Sequence, residues 1–265
     1  MTAALHEAPR RPSLAADVWT IMWKELQEMR QAGAGGRFGG GRFGGGLGQV
    51  ALYLVVFGVV LPYNFGGEWV TSPATLLFWS WVPILMITAI VAQSFAGERE
   101  RHTLESLLAT RLSDRAILWG KIGAAVAYGW GVTIGALVVS LITTNIRSRG
   151  EGLLLYSPEM ALTILVLTLL VSLLAAGAGV LVSLRASTVR QAQQTMSIAT
   201  MVLVFGSVYG LQSLPIDWDA LVGSAPDGGL PTGAVLAVTG LLVAADAVLL
   251  VLAQVRFQRA RLILD

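Results

Sequence analysis

The sequence predicts an all-α, polytopic membrane protein with six transmembrane helices, and three observations support this class. Of the 265 residues, 55% are hydrophobic and 13% are charged, whereas charged residues make up about 25% of a typical soluble domain. Six charge-poor segments each reach the roughly 20 residues that a spanning helix needs. A charge-rich stretch, 97–121, separates the second segment from the third. The mean hydropathy of +0.69 agrees with this assignment.

Residues 1–46 are predicted to form a cytoplasmic N-terminal region with one amphipathic helix over 13–31. Ser13 follows Pro12 and is a suitable N-cap residue. An apolar stripe follows at helical spacing, and the charged side chains Lys24, Glu25, Glu28 and Arg30 lie largely off it. The stripe comprises Trp19, Met22, Trp23, Leu26 and Met29. A basic helix that carries tryptophan fits the membrane interface, and a soluble helix packed on a partner is the alternative.

Residues 33–48 are predicted to be a glycine-rich linker. Ten of these sixteen residues are glycine, and the motif GRFGG occurs twice. Such a composition indicates a flexible tether. Arginine and phenylalanine interleaved with glycine also occur in nucleic-acid-binding tails. Because only Arg37 and Arg42 are present, we interpret them as contacts to lipid headgroups and expect no nucleic-acid partner.

The transmembrane domain is predicted to span 47–256, followed by a cytoplasmic tail, 257–265. The six spans lie near 47–65, 75–96, 122–146, 160–184, 192–211 and 234–255. An even number of spans places both termini on one side. Sixteen Lys and Arg residues fall in the two terminal regions and in 97–121 and 185–190, against two in the opposite loops. The positive-inside rule therefore predicts a multi-pass plasma-membrane protein with both termini in the cytoplasm.

The charge-rich stretch 97–121 is predicted to be an amphipathic helix on the cytoplasmic membrane surface. Its leucines fall at helical spacing on one face, and charged side chains fill the remainder. Arg101 and Glu105 have the four-residue separation that favours an ion pair. One side of such a helix is free for a partner. The alternative is a helix that runs along the bilayer with its charges solvated.

The same stretch resembles a motif of ABC-2 type permeases, the export class of ATP-binding-cassette transporters. In that family the segment after the second span is similar to E-x-E-x-G-T-L-E-x-L-L-x-x-P-x-S and ends in a GK pair. His102 stands at the usual glycine and Arg111 at a frequent proline. The matching residues are Glu98, Glu100, Thr103, Leu104, Glu105, Leu107, Leu108, Ser113, Gly120 and Lys121. A weaker resemblance is VRQAQQTMS, 189–197, before the fifth span.

The resemblance implies a coupling helix between spans two and three that docks on a separate nucleotide-binding subunit. It assigns the coupling role to Glu98, Glu100, Thr103, Leu104, Glu105, Leu107, Leu108 and Lys121. It also implies a dimer with a second permease copy or a paralogue. In the family, spans two and five line the substrate path. The residues that this suggests are Gln93, Ser197, Met201, Phe205 and Tyr209, although such a stripe also suits plain helix packing.

The chain lacks the motifs that catalysis would need. No G-x-x-x-x-G-K-[ST] sequence is present, so ATP and magnesium are expected in the partner subunit. Neither histidine, His6 or His102, falls within a predicted span, which argues against an intramembrane Ser–His protease. There is no H-E-x-x-H motif and no cysteine, and we expect no metal site. The chain is therefore not expected to be an enzyme.

Asp246 is the only formal charge inside a predicted span. A carboxylate at membrane depth is costly and suggests a proton or cation site. The alternative is a carboxyl that is protonated or hydrogen-bonded to Ser or Tyr and holds span six to its neighbours.

The residues and the resemblance together indicate an export permease that alternates access under ATP hydrolysis by its partner. A non-transport scaffold that links an ATPase to an extracytoplasmic protein would share the same topology. A secondary transporter is a further alternative, although it would need internal repeats and more intramembrane polar groups.

Overall fold

The computed structural model describes residues 13–34, 46–103, 110–149, 152–213 and 232–257, and the regular elements in these ranges are helices. The predicted all-α class is confirmed for this part of the chain. The α-helices are α1 (Leu14–Ala34), α2 (Gly46–Val55), α3 (Leu61–Phe65), α4 (Glu68–Thr71), α5 (Thr75–Ser94), α6 (Ala96–Glu100), α7 (Asp114–Arg147), α8 (Pro158–Arg185), α9 (Val189–Ser213) and α10 (Thr232–Arg256).

Five helical stretches in the described ranges are long and apolar enough to cross a membrane. They correspond to predicted spans one, two, three, four and six. Their bounds are Gly48–Phe65, Thr75–Glu100, Asp114–Arg147, Pro158–Arg185 and Thr232–Arg256. The fifth predicted span, 192–211, lies within α9, which is not among these five. The count of six spans therefore stays a prediction.

The first span is a continuous helix with a π-helical turn in its middle. Helix α2 passes through the π-helix Val56–Val60 into α3. A π-turn disrupts the regular ladder of backbone hydrogen bonds. Here the hydroxyl of Thr143, on α7, lies 2.7 Å from the carbonyl oxygen of Gly58 and donates to it. This hydrogen bond therefore links the π-helical turn of the first span to the third span.

Glycine residues mark the closest helix crossings of the bundle. In each case a Cβ atom at the glycine would lie within 3.0 Å of a side chain on the neighbouring helix, so only glycine permits the observed approach. The pairs are Gly58 with Val139, Gly120 with Ile21, Gly129 with Ile87, and Gly179 with Val91. Small residues at crossings are characteristic of packing between membrane helices, where lipid and side chains are equally apolar.

Three apolar clusters pack the described part of the bundle, and the two larger ones lie toward opposite ends of the long helices. The cluster at the end that carries α1 includes Ile21, Phe95 and Ile122. The cluster at the far end is built around Trp69 and Trp79, whose ring centroids lie 5.8 Å apart. The polar side chains described below lie beside the first of these clusters, where Lys121 Nζ is 5.3 Å from the centroid of the Phe95 ring.

Helix α1 begins where the sequence predicts. The backbone N–H of Ala16 donates to Ser13 Oγ at 3.3 Å, which is an N-cap interaction, and the helix continues to Ala34. Its face toward α7 carries Ile21, which is buried. Trp19 and Trp23 are 60% and 54% exposed and stack on each other. The tryptophans thus point away from the bundle, where an interfacial helix would present them to lipid.

The prediction of one helix over 97–121 is wrong. Helix α6 ends at Glu100, and a new helix, α7, begins at Asp114 with Ser113 as its N-cap. The N–H of Ala116 donates to Ser113 Oγ at 3.2 Å. From Asp114 onward the chain is already part of the long third span, so the stretch comprises two helix ends and the segment between them. Leu104, Glu105, Leu107 and Leu108 lie outside the described residues.

Candidate functional site

A buried lysine joins three elements at the end of the bundle that carries α1. The Lys121 side chain is 2% exposed, and its Nζ lies 2.8 Å from Glu25 Oε1 on α1 and 2.8 Å from Glu98 Oε1 on α6. The third contact of Nζ is the carbonyl oxygen of Ser94, at 3.2 Å. An ammonium has three N–H donors, so each has an acceptor. Lys121, which is on α7, thereby ties that helix to α1, to α6 and to the end of α5.

The close approach that makes this network possible depends on the residue before the lysine. A Cβ at Gly120 would lie 2.6 Å from Ile21 Cβ and 3.2 Å from the backbone oxygen of Val18. Without that Cβ, α1 packs directly on α7, and Glu25 lies one helical turn from Ile21 on the same face. Gly120 and Lys121 therefore depend on each other. The glycine allows α1 to approach α7 closely, and the lysine binds the Glu25 carboxylate that α1 carries.

The charges of this network do not cancel, since two carboxylates face one ammonium. Glu98 Oε2 is buried and has no hydrogen-bond partner within the described residues. Lys24 Nζ, on the exposed side, lies 3.8 Å from Glu25 Oε1 and 3.2 Å from Glu28 Oε1. The Lys121 ammonium is thus the only cation that contacts both buried carboxylates in the part of the chain that the structure describes.

Two further side chains tie α6 to the fourth span. Arg99 donates to the carbonyl oxygens of Leu184 and Ala186 at 3.1 and 3.0 Å, which satisfies free carbonyls at the end of α8. Ser183 Oγ accepts from the N–H groups of Phe95 and Ala96 at 3.2 and 3.0 Å, where α5 gives way to α6. It also lies 3.2 Å from the Ala92 carbonyl, to which it donates.

A carboxylate ties α6 to the start of α9. Glu100 Oε2 accepts from the backbone N–H of Val189 at 3.1 Å, in the first turn of that helix. A negative charge is favourable there because the first backbone N–H groups of a helix lack intrahelical partners. We call the residues that make these contacts the hub: Glu25, Glu98, Arg99, Glu100, Lys121 and Ser183.

The hub ends in a left-handed turn at His102, whose φ is +56°. The N–H of Thr103 donates to the Glu98 carbonyl at 2.9 Å, and the N–H of His102 donates to the Arg99 carbonyl at 3.1 Å. This pair of bonds is a Schellman motif, which favours glycine at the left-handed residue. The family motif has glycine at the position of His102. The left-handed backbone at this position accounts for the glycine of the motif.

Replacing His102 with glycine is expected to stabilise the protein. The left-handed conformation costs a residue with a Cβ roughly 1–2 kcal/mol, and glycine loses about 0.5–1 kcal/mol through the entropy of the unfolded chain. The expected net gain is about 0.5–1 kcal/mol in the free energy of unfolding, measured by denaturant titration in detergent. His102→Ala is the control, since it keeps the strained backbone. Equal destabilisation by both variants would contradict the assignment.

The structure brings some of the predicted coupling residues into one network. Glu98, Glu100 and Lys121 all bind other parts of the chain, and Thr103 Oγ1 lies 3.3 Å from the Glu98 carbonyl. Their contact with a nucleotide-binding subunit stays a prediction. Glu25, Arg99 and Ser183 were not among the residues predicted from the sequence. Glu25 had a detectable signal, because it shares a helical face with Val18 and Ile21.

Three of the predicted path residues line a groove between spans one, two and α9. Its volume is about 430 Å³, within the usual range for ligand sites of roughly 300–1,000 Å³. The lining residues in the described part of the chain are Gln49, Leu85, Thr88, Gln193, Ser197, Thr200, Met201 and Phe205. Tyr209 is 67% exposed further along α9. The side chain of Gln93 lies outside the described residues.

Asp246 is buried in α10, where it is 3% exposed. Neither of its carboxylate oxygens has a hydrogen-bond partner among the residues that the structure describes. A hydrogen bond to Ser or Tyr, which was one form of the alternative for Asp246, is therefore not seen among these residues. The ionisable role suggested for Asp246 stays a prediction.

Comparison with known protein families identifies the class of protein to which this chain belongs. A family model described as ABC-2 type transporter matches residues 17–221, which takes in α1 through α9. The chain belongs to the ABC-2 type transporter family. With its apolar helices, this ABC-2 chain is a multi-pass membrane subunit of an ABC transporter.

One curated relative of this ABC-2 chain is the ABC transporter permease protein NatB of Bacillus subtilis (strain 168). The two sequences are 28% identical over 153 residues. The alignment covers 52% of this chain and 39% of the relative. The similarity is thus to less than half of the relative's length.

Proposed function

We propose that this chain is the permease subunit of an exporter, driven by ATP hydrolysis on a separate nucleotide-binding subunit. Two permease copies, or one copy and a paralogue, would form the path, and ATP and magnesium would be held by the partner. The observation that supports the proposal is the hub. It joins the segment after span two to α1, α7, α8 and α9 through short hydrogen bonds and ion pairs.

The hub provides a physical means of coupling. The docking face is proposed to be Leu104, Leu107 and Leu108, which follow directly on the left-handed turn at His102. A push on that segment reaches α6, and α6 is bonded to the ends of two spans through Arg99 and Glu100. Rigidly packed helices respond to such a displacement by tilting or sliding as units rather than by bending. Tilt of the spans would alternate access to the path.

Asp substitutions at Leu104 and Leu107 are expected to abolish co-purification of an ATPase subunit. Burying a carboxylate in an apolar docking groove without a partner charge is strongly unfavourable. The tagged permease would be isolated from its native membrane, and the bound P-loop protein and the ATPase activity would be measured.

The matched control places the same substitutions at the opposite end of the bundle. Leu153 and Leu155 are exposed in the loop before α8, and their replacement by Asp should leave the complex intact. Membrane insertion should be equal in both double variants. An ATPase complex that survives L104D/L107D would show that this segment is not the docking face.

The proposed topology has both termini and the hub in the cytoplasm. Since the chain has no cysteine, a single introduced cysteine reports the side of the membrane on which it lies. Cysteine at Leu153 or Ser224 is expected to react with a membrane-impermeant maleimide in intact cells. Cysteine at Ser187 should react only after permeabilisation. If Ser187 and Ser224 respond alike, α9 does not cross the membrane and the six-span topology is wrong.

The groove favours transport over a scaffold that only transmits force. It lies where spans one and two meet α9, and its wall includes Ser197, Met201 and Phe205. The outer face of α9 is exposed at Ile198 and Val202, which leaves an apolar surface for a second permease. We therefore assign Gln93, Ser197, Met201, Phe205 and Tyr209 to the substrate path as part of this proposal.

A further inference from the structure

We propose that the groove binds an uncharged amphiphile whose head is rich in hydroxyl or amide groups. The head would lie toward the end of the bundle that carries α1, and the apolar chain would point toward the far end. This inference rests on the proposed function for its biological meaning, because the ligand would be the substrate class. The binding itself depends only on the groove.

The polarity of the groove changes steadily along α9. Gln193, Ser197 and Thr200 come first from the start of the helix, followed by Met201 and Phe205. The twelve residue-to-residue steps from 193 to 205 cover about 18 Å at 1.5 Å per residue. An amide and hydroxyls thus line one end, and a thioether and an aromatic ring line the other. A ligand with a polar head and an apolar tail matches that gradient in one orientation only.

The wall of the groove that faces α9 also combines polar and apolar side chains, and none of those that the structure describes is charged. Span one contributes Gln49, and span two contributes Leu85 and Thr88. No lining residue in the described ranges is ionisable. The nearest cation along α9 is Arg190, which is exposed one turn before Gln193 and does not line the groove. A charged head in the groove would lose hydration without gaining a counter-charge. The lining therefore favours an uncharged head.

The hydrogen bonds of the Thr88 and Thr200 hydroxyl groups indicate which donors and acceptors the head of the ligand should carry. Thr88 Oγ1 donates to the Ile84 carbonyl at 2.6 Å, so its single proton is already used. Thr200 Oγ1 lies 3.4 Å from Thr88 Oγ1, and Thr200 must then be the donor of that pair. Both oxygens keep free lone pairs that can accept a hydrogen bond. Together with the two glutamine amides, they suit a head that both donates and accepts, as in a sugar, a glycerol or an amide.

The test uses a photoreactive alkyl glucoside with a diazirine in its chain. The permease is reconstituted in detergent-free lipid nanodiscs, and the labelled peptide is identified by mass spectrometry. Labelling is expected within 197–205 and to be competed by unlabelled alkyl glucoside. Matched alkyl trimethylammonium and alkyl phosphate compounds of equal chain length should compete at least tenfold less well.

Variants separate binding in the groove from nonspecific partitioning into lipid. Thr200→Val keeps the side-chain shape and removes a hydroxyl, so we expect about fivefold weaker labelling from the loss of one hydrogen bond. Met201→Trp should fill the groove and remove most of the labelling. Leu241→Trp, at an exposed position of α10 outside the lining, should leave labelling unchanged.

Three outcomes would overturn the proposal. The first is equal labelling of all variants, which would indicate partitioning into lipid only. The second is stronger competition by the alkyl phosphate, which would point to Arg190 and an anionic head. The third is cross-linking of the groove to a second permease copy with no labelling by the probe. None of these assays requires ATP or an ATPase partner, so their failure is distinguishable from failure of the proposed function.

Discussion

Replacing Lys121 with methionine is expected to cost about 3–5 kcal/mol of the free energy of unfolding, the usual cost of removing one partner from a buried ion pair. Methionine has a similar length and an apolar character, so packing would change little. The carboxylates of Glu25, which is buried, and of Glu98, which is half-buried, would be left without the ammonium that contacts both. The measurement is denaturant-induced unfolding in mixed micelles, followed by the fluorescence of the eight tryptophans.

The matched control removes the whole network. In the triple variant Glu25→Leu, Glu98→Leu, Lys121→Met, no buried charge is left unpaired, and stability is expected to return to within about 1 kcal/mol of the parent protein. Recovery would show that the single variant fails through its unpaired carboxylates. A K121M protein as stable as the parent would mean that Lys121 is not the counter-charge of the buried carboxylates.

Replacing Gly120 with alanine is expected to cost roughly 1–3 kcal/mol, as overpacking of a close contact does. The new Cβ would lie 2.6 Å from both Cβ and Cγ2 of Ile21 and 3.2 Å from the backbone oxygen of Val18, both on α1. Helix α1 must then move away from α7, which also lengthens the Lys121–Glu25 contact. The free energy of unfolding would be measured in the same micelles.

Gly131→Ala is the control for this change, because nothing lies within 4 Å of a Cβ at that position of the same helix. Alanine should be neutral or slightly stabilising there, since it favours helix more than glycine does. Equal effects at Gly120 and Gly131 would mean that the substitution acts through helix propensity rather than through the contact with Ile21.

The apolar helices could be predicted from the sequence because each depends on a local property, the length of an uncharged run. The five helical stretches that could cross a membrane begin and end within a few residues of predicted spans one, two, three, four and six at most ends. Helix α7 is the exception, since it starts eight residues before the predicted span. Polar residues at a helix end are compatible with either a loop or a helix that extends beyond the membrane.

The hub could be predicted only in part. The family motif pointed to Glu98, Glu100 and Lys121, but not to their use as contacts within the chain. Lys121 and Glu25 are 96 residues apart, and no periodicity in one helix reveals a partner on another. The apolar spacing could not reveal the break at His102 either, because the leucines of this stretch all follow that residue, and only the backbone hydrogen bonds disclose the turn.

The length of α7 has a mechanical consequence. Its 34 residues make a rod of about 51 Å, whereas the hydrocarbon layer is about 30 Å thick, so roughly 20 Å protrudes. Gly120 and Lys121 precede the predicted span, 122–146, and are therefore expected on the protruding portion. If the rod pivots about its membrane-embedded part, the tip acts as a lever arm, and α1 travels with it. A rotation of about 10° carries one end of such a rod about 9 Å relative to the other.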